Sequence, residues 1–358
     1  MRHAVLDMMD RRPIWAMPSS VPEQIREALG PEWKLTVLEE ETDGSGDGAT
    51  RVSPVVLEAV RDAEIYFGYG IPAALLEAAP ELRWVHSGAA GVGSSLTPTM
   101  LASSVIFTNS AGIHAPPMAE TVLAMLLHFG RGLDLAAAGQ RRGEWSTDAY
   151  YVAGAPLTEI SASTIGIIGF GGIGREVARR VASLGARVIA AKRTPVGEGE
   201  ADLMPLAGSG TLGSRIEVIS GRSGFDTVCR ESDAIVVCAP DTPETRGMID
   251  AKALAQMKRG CVLINVARGG LVDEDALIFS LEAGHIRGAG LDVFSQEPLQ
   301  SDSPFWARPD VVVTPHVSAV TRGFWARECD LILENLEHFQ MGHPVLKWDN
   351  VVDKRAGY

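Results

Sequence analysis

Between Thr164 and Ala191 the chain runs TIGIIGFGGIGREVARRVASLGARVIAA: an apolar run, spaced glycines, an amphipathic stretch and a second apolar run. No other stretch restricts the fold as much. Gly169, Gly171 and Gly174 have the G-x-G-x-x-G spacing where a strand should end and a helix begin. The spacing serves a tight turn, a close approach of backbone to a pyrophosphate, and close packing of helix on strand. The phosphates would then sit on the N–H groups of Gly171, Gly172, Ile173 and Gly174 at the helix start. Alone, this motif is equally the mark of an ordinary glycine-rich turn. Here Val177, Val181 and Leu184 stripe the following helix and Arg187 to Ala191 reads as the returning strand, so the context is that of a dinucleotide fold.

At roughly 150 residues per domain, 358 residues are expected to make two domains, each able to bury its own core. A formal net charge of -13 argues against nucleic acid or an anionic membrane as partner, so an anionic ligand has to be held by local positive groups. Cys229, Cys238, Cys261 and Cys329 form no C-x-x-C pair and no metal-ligand spacing; they read as thiols in a reducing compartment, and no metal is expected. The N-terminus, MRHAVLDMMDRRPIW, has charges before any apolar run of signal-peptide length. No stretch approaches the roughly 18 apolar residues of a membrane span, and a cytoplasmic protein is expected.

The chain before the glycine motif alternates strand and helix, which implies a parallel sheet. Strands are expected at 35–39, Ile65 to Phe67, Arg83 to His86 and Val105 to Thr108, with a helix from Pro72 to Ala79 and an acidic, glycine-rich surface loop after residue 39. Residues Ser87 to Gly93, SGAAGVG, are small enough to leave backbone N–H groups accessible, either as a carboxylate cradle at Ala89, Ala90, Gly91 and Val92 or as a plain turn. A long helix through Phe129 places Met118, Val122, Met125, Leu126 and Phe129 on one apolar face, a candidate for a hinge and a subunit contact together with the segment bearing Trp145. His114 and His128 read as packing or surface histidines. Residues 196–224 are rich in Gly and Ser and read as a long loop with an apolar patch at Ile216 to Ile219. Further strands are expected at Ala234 to Ala239, Cys261 to Val266, Gly288 to Val293 and Val311 to Val313. A last helix over 321–341 carries Trp325, Cys329, Ile332, Leu336 and Phe339 on one stripe and is expected to return to the first domain.

Three polar residues follow the ends of successive strands: Arg268, Glu297 and His316. In open parallel sheets that edge is where ligands bind. An arginine fork holds a carboxylate bidentately, and a histidine, with an unperturbed pKa of about 6.5, exchanges the proton that accompanies hydride transfer. At the other edge Lys192 lies eighteen residues past Gly174, where an acid would receive the ribose hydroxyls of NAD; Arg193 and Thr194 follow it. A carboxylate is missing and two cations are present, so NADP(H) is expected in preference to NAD(H), unless these are simply solvated charges. Pro240 and Ala267, at the ends of two more strands, complete the expected cofactor contacts.

Three blocks of the second half, Asn265-Val266-Ala267-Arg268-Gly269-Gly270-Leu271-Val272-Asp273-Glu274, then Gly290-Leu291-Asp292-Val293-Phe294 with Glu297-Pro298, then Thr314-Pro315-His316, resemble the signatures of the D-isomer-specific 2-hydroxyacid dehydrogenases. Arg83 to Val92, Asn109 to Glu120 and the glycine motif are also similar to that family. The resemblance implies that Arg268 binds carboxylate and carbonyl, that His316 is the acid/base and that Glu297 keeps it protonated for reduction. It also implies that the backbone of Ala89 to Val92 holds the substrate carboxylate, and that Ile173 and Asp292 border the nicotinamide. Two departures are the length of 196–224 and Ser161-Ala162-Ser163 in place of the Gly-Lys often seen before the first nucleotide strand. Formate dehydrogenases of similar fold pair the histidine with glutamine, whereas this chain has Glu297.

The expected fold is therefore α/β, with two doubly wound parallel-sheet domains: a Rossmann-type nucleotide domain over 119–318, inserted in a flavodoxin-like substrate domain formed by 1–118 and 319–358. The expected activity is reduction of a small 2-keto acid, glyoxylate or hydroxypyruvate, in a site between two domains that close, by a homodimer. A non-enzymatic dinucleotide sensor or corepressor with the same residues is the competing reading.

Overall fold

The computed structural model describes residues 1–42, 48, 51–195 and 216–357. Its elements are, in chain order, β1 (Arg2–Asp7), α1 (Ser20–Leu29), β2 (Trp33–Val37), α2 (Pro54–Ala59), β3 (Ile65–Gly68), α3 (Ala73–Ala78), β4 (Trp84–Ser87), α4 (Pro98–Ala102) and β5 (Ile106–Asn109). There follow α5 (Ala115–Gly130), α6 (Leu133–Arg142), α7 (Asp148–Tyr151), β6 (Thr164–Ile168), α8 (Gly172–Ser183), β7 (Arg187–Lys192), β8 (Ile216–Ser220), α9 (Gly221–Glu231) and β9 (Ala234–Val237). The last are α10 (Ala251–Gln256), β10 (Cys261–Asn265), α11 (Glu274–Glu282), β11 (Ile286–Leu291), β12 (Val311–Val313) and α12 (Phe324–Met341). They fall into two compact units, Met1–His114 with Val320–Tyr358, and Ala115–Ala319.

The first unit is a five-stranded parallel sheet in the order β2-β1-β3-β4-β5, the flavodoxin-like order. β1 lies inside it, and Ala4, Val5 and Leu6 are fully buried. The strand escapes a reading of hydropathy because its apolar run is closed at both ends by His3 and Asp7, residue types that ordinarily mark a surface segment. Both are buried and paired, His3 with Asp62 and Thr36, Asp7 with the Tyr66 hydroxyl at 2.6 Å. β2 starts two residues earlier than the sequence suggests, and the acidic segment after it lies largely outside the described residues. One face of the sheet packs on α1 and α12, where Trp325, Cys329, Ile332, Leu336 and Phe339 are all buried. The C-terminal segment covers the β5 edge: Asn350 accepts from the Asn109 N–H at 3.1 Å and Val352 donates to Phe107 at 2.8 Å.

The second unit is a seven-stranded parallel sheet ordered β12-β11-β10-β9-β6-β7-β8, the Rossmann order extended by one strand, with its switch point between β6 and β9. Residues 196–215 lie outside the described residues, and the rest of the expected loop is not a loop: 216–220 is strand β8 and 221–231 is helix α9. GRSGFDTVCRE hides a helix because glycine and serine are poor helix formers. Gly224 is there for contact, since a Cβ would collide with the Ile219 carbonyl beneath it. The apolar face of α5 is used inside the unit. Met118, Val122, Met125, Leu126 and Phe129 pack among β6, α8 and β10, and Cβ atoms at Gly288 and Gly290 would strike Phe129 and Met125. That face is therefore not available to a second subunit. Among the described residues no single helix is long and apolar enough to cross a membrane.

The three motif glycines are required for different reasons. Gly169 has φ +97° and a Cβ there would lie 2.6 Å from the Ala239 nitrogen; at Gly174 it would run into the Gly169 carbonyl; at Gly171 it would meet no atom within 4 Å. Gly174→Ala should therefore lower the unfolding free energy by about 1–3 kcal/mol, the usual cost of overpacking, whereas Gly171→Ala should leave it nearly unchanged. Urea titration of both variants checks this, and equal midpoints would show that α8 can shift away from β6.

Candidate active site

β10, β11 and β12 are adjacent and parallel, so the turns that follow them emerge at one sheet edge. A chain of hydrogen bonds links these turns. The buried Asn265 side chain donates to the Arg268 carbonyl at 2.9 Å and accepts from the Ala267 N–H at 3.1 Å, which shapes the turn that carries Arg268. The Asn265 carbonyl accepts from Asp292, and the Asp292 carbonyl accepts from His316 at 2.8 Å. Gly269 keeps the first two turns close, because a Cβ there would overlap the backbone of Phe294 and Ser295.

At the end of this chain His316 Nδ1 lies 2.7 Å from Glu297 Oε2, while Glu297 Oε1 accepts from the Phe294 N–H at 3.0 Å. Both side chains are a little over one-third exposed. A carboxylate facing Nδ1 fixes that nitrogen as the donor and leaves Nε2 for another partner. Arg268 Nη1 donates to the Ala267 carbonyl at 2.8 Å, and the residue is half-buried. Arg268, Glu297 and His316 thus follow three neighbouring strands. Asp292 is fully buried and its carboxylate accepts from Thr314 Oγ1 at 2.6 Å and from the N–H groups of Val317 and Ser318. It anchors the His316 turn, a role that its expected place beside a nicotinamide did not suggest. Asn265 and Thr314 were visible in the sequence only as members of blocks, since a polar residue closing an apolar strand gives no sign of what it bonds.

At the glycine turn the N–H of Gly169 donates to Ala191 at 2.8 Å, which ties the turn to β7. No side chain caps α8, and the space above Gly171 is open. An uncapped helix start beside an open glycine is the cradle a pyrophosphate needs, so the site fits a dinucleotide at Gly171, Gly172, Ile173 and Gly174. Lys192 ends β7 half-buried, and Arg193 and Thr194 follow it exposed. Across the sheet order, Pro240 is exposed and Ala267 buried after β9 and β10. The Thr242 hydroxyl holds the exposed Glu244 carboxyl below its usual range, its own backbone N–H adds to this, and Arg193 contributes less. Burial pushes the thiols of Cys229, Cys238 and Cys261 up to about 12, which leaves them without nucleophilic use at neutral pH.

The other expected substrate loop belongs to the first unit, after β4. It is less open than its composition suggests. The Gly88 N–H donates to the Gly68 carbonyl at 2.9 Å and the Ala89 N–H to Ser87 Oγ at 3.3 Å, and the side chains of Ala89 and Val92 are buried. Ala90 is exposed and Gly91 half-buried. The expectation of a uniformly accessible run is corrected accordingly: Ala89 has its amide committed, because small residues also let neighbouring backbones close over them.

Residues 123–318 match the family described as D-isomer specific 2-hydroxyacid dehydrogenase, NAD binding domain. The D-3-phosphoglycerate dehydrogenase of Mycobacterium leprae is 38% identical over 77% of the chain and 48% of that protein, so the chain spans about half the length of this relative. The glyoxylate reductase of Thermococcus onnurineus is 32% identical over 90% of the chain and 91% of its own length. Among solved structures, an NADPH-dependent glyoxylate/hydroxypyruvate reductase from Sinorhizobium meliloti, in complex with NADP and sulfate, superposes with a TM-score of 0.73 at 28% identity, covering 100% of both chains. With its glycine motif, its three linked strand-end turns and a family match over more than half its length, the chain belongs to the D-isomer specific 2-hydroxyacid dehydrogenases.

Proposed function

We propose that the protein reduces a small 2-keto acid, glyoxylate or hydroxypyruvate, to the 2-hydroxy acid, with NADP(H) preferred over NAD(H). The observation that carries this reading is the Glu297–His316 pair at 2.7 Å, held on the same sheet edge as Arg268. The nicotinamide cofactor, when bound, supplies the hydride. Arg268 holds the substrate carboxylate and polarises its carbonyl. His316 delivers a proton from Nε2 to the carbonyl oxygen while Glu297 keeps Nδ1–H in place and stabilises the imidazolium form that donates. Gly171, Gly172, Ile173 and Gly174 hold the pyrophosphate, Lys192, Arg193 and Thr194 the adenosine ribose, and Pro240 and Ala267 border the rest of the cofactor, with Asp292 supporting the nicotinamide end from beneath. The backbone of Ala90, Gly91 and Val92 in the loop after β4 is a further carboxylate-binding element, with Ala89 shaping the turn. Relatives named glyoxylate reductase and glyoxylate/hydroxypyruvate reductase support the substrate class.

His316→Ala should lower kcat by at least about 10²-fold, the usual scale of acid/base catalysis, while NADPH still binds. A folded variant with near-normal turnover of both keto acids would remove His316 from the mechanism.

The cofactor preference rests on Lys192 and Arg193 at the end of β7. Steady-state reduction should show a higher kcat/KM with NADPH than with NADH. Arg193→Ala should reduce that ratio about fivefold, which corresponds to an exposed charge pair of about 1 kcal/mol. A wild-type preference for NADH would refute the assignment, and an unchanged ratio in the variant would transfer it to Lys192 or another group.

A homodimer is the proposed assembly, with α6, α7 and their connection as the contact, because Trp145 is 97% and Tyr151 86% exposed there. Light scattering should give twice the mass of one chain, and Trp145→Glu should lower it; a wild-type monomer at micromolar concentration would exclude the assembly.

A further inference from the structure

The first unit contains a polar cluster that the proposed chemistry does not use. His86 on β4, Ser110 just after β5 and Glu328 on α12 are each 0% exposed. Glu328 Oε1 lies 2.9 Å from His86 Nε2 and Glu328 Oε2 accepts from the Ser110 hydroxyl at 2.7 Å. Thr108 Oγ1 lies 2.8 Å from His86 Nδ1 and accepts from Trp84 Nε1 at 2.9 Å. One arrangement satisfies all of them: Trp84 N–H to Thr108, Thr108 O–H to His86 Nδ1, His86 Nε2–H to Glu328, and Ser110 O–H to the second carboxylate oxygen. A fully buried carboxylate is costly unless its oxygens are matched in this way, so the cluster has little freedom to rearrange.

The cluster ends on backbone of the loop after β4. Ser110 Oγ is 3.0 Å from the Ser87 carbonyl, the Ser110 N–H donates to the Ala89 carbonyl at 3.4 Å, and the neighbouring Asn109 side chain donates to the Ala90 carbonyl at 2.8 Å. Gly88 is confined from the other side, since a Cβ there would strike Met8 and Tyr69. The Ser110 hydroxyl has one proton for two acceptors, and the shorter, charge-assisted bond goes to Glu328. The Glu328 carboxylate therefore decides where Ser110 sits, and the Ser110 N–H in turn decides where the Ala89 carbonyl sits.

We propose that Glu328, acting through Ser110 and His86, is a positioning residue that sets the loop Ser87 to Val92 for binding the substrate carboxylate. This rests on the reading that the loop takes a keto-acid carboxylate. Glu328→Gln offers one acceptor oxygen where two are needed, and Ser110→Ala removes the hydroxyl that ties this residue to Glu328 with a minimal change of volume. In both variants KM for glyoxylate and hydroxypyruvate should rise about tenfold, the equivalent of one lost hydrogen bond, with kcat changed less than about twofold and NADPH affinity by fluorescence titration unchanged. Amide hydrogen exchange should accelerate over residues 87–92 in both. Unchanged KM in an active, folded variant, or a parallel loss of NADPH affinity, would overturn the proposal, as would unaltered exchange in the loop. Exchange reports on positioning without turnover. A wild-type protein inactive on both keto acids with either cofactor would sink the proposed activity, and the exchange measurement would still decide the role of Glu328; Ser110→Ala alone suffices for it where Glu328→Gln does not fold.

Discussion

The buried carboxylate of Asp292 is the interaction on which the candidate site depends. It sits at the end of β11 with no exposure and takes the Thr314 hydroxyl and the Val317 and Ser318 N–H groups, all from the turn after β12. That turn puts His316 at φ 54°, a left-handed conformation that a side-chain-bearing residue adopts only when its surroundings require it. The same residue's carbonyl accepts from the His316 N–H, so one aspartate fixes both flanks of the histidine. Without it two N–H groups would lose their partner, one of them on the buried Ser318, at about 1–3 kcal/mol for each that stays buried, and the left-handed turn would lose its support. The imidazole is thereby delivered to Glu297 by backbone geometry rather than by packing, which suits a side chain that must stay partly open to a ligand.

Close backbone approach is the second constraint. Gly269 lets the Arg268 turn lie against Phe294, and Gly169 lets the first turn lie against Cys238 and Ala239. Both contacts bring loops from adjacent strands together at the same sheet edge, where the order reverses between β6 and β9. Side chains at these positions would hold the loops apart and widen the crevice. The edge is therefore built from glycine and from short polar residues, Asn265 and Asp292 bonding to backbone and Thr314 to the Asp292 carboxylate, and it carries Arg268, Glu297 and His316.

The sequence made the second unit legible because its signals are local: apolar runs of three to six residues, glycines at fixed offsets and polar residues soon after strands. Arg268, Glu297 and His316 could be picked out on that basis before any contact was known, and His316 and Glu297 do meet. The first unit was less legible. β1 has three apolar residues between His3 and Asp7, and its partners Asp62, Thr36 and Tyr66 are remote in sequence, so nothing local marks it as an interior strand. α9 was hidden by Gly221 and Gly224, which read as loop formers although Gly224 serves helix-on-strand contact. The roles of Asp292 and Ser110 could not be read at all, since they are defined by the atoms they bond and not by their position in a pattern.

On the proposed assignment, the seven-stranded sheet also separates cofactor choice from proton transfer. Lys192 and Arg193 follow β7, on one side of the β6/β9 reversal, while Arg268, Glu297 and His316 follow β10, β11 and β12 on the other. β6 and β9, fully buried in their apolar positions, stand between the two sets as a rigid partition. A charge exchanged after β7 is set apart by these strands from the hydrogen-bond chain through Asn265, Asp292 and Glu297. Groups kept well apart by packed strands contribute nearly additively. Cofactor choice can accordingly drift among members of such a family through the residues after β7 while the proton-transfer geometry is retained. Lys192-Arg193-Thr194 and the turns bearing Arg268, Glu297 and His316 are thus carried by different strands of one sheet, which is what lets the proposed cofactor corner vary on its own.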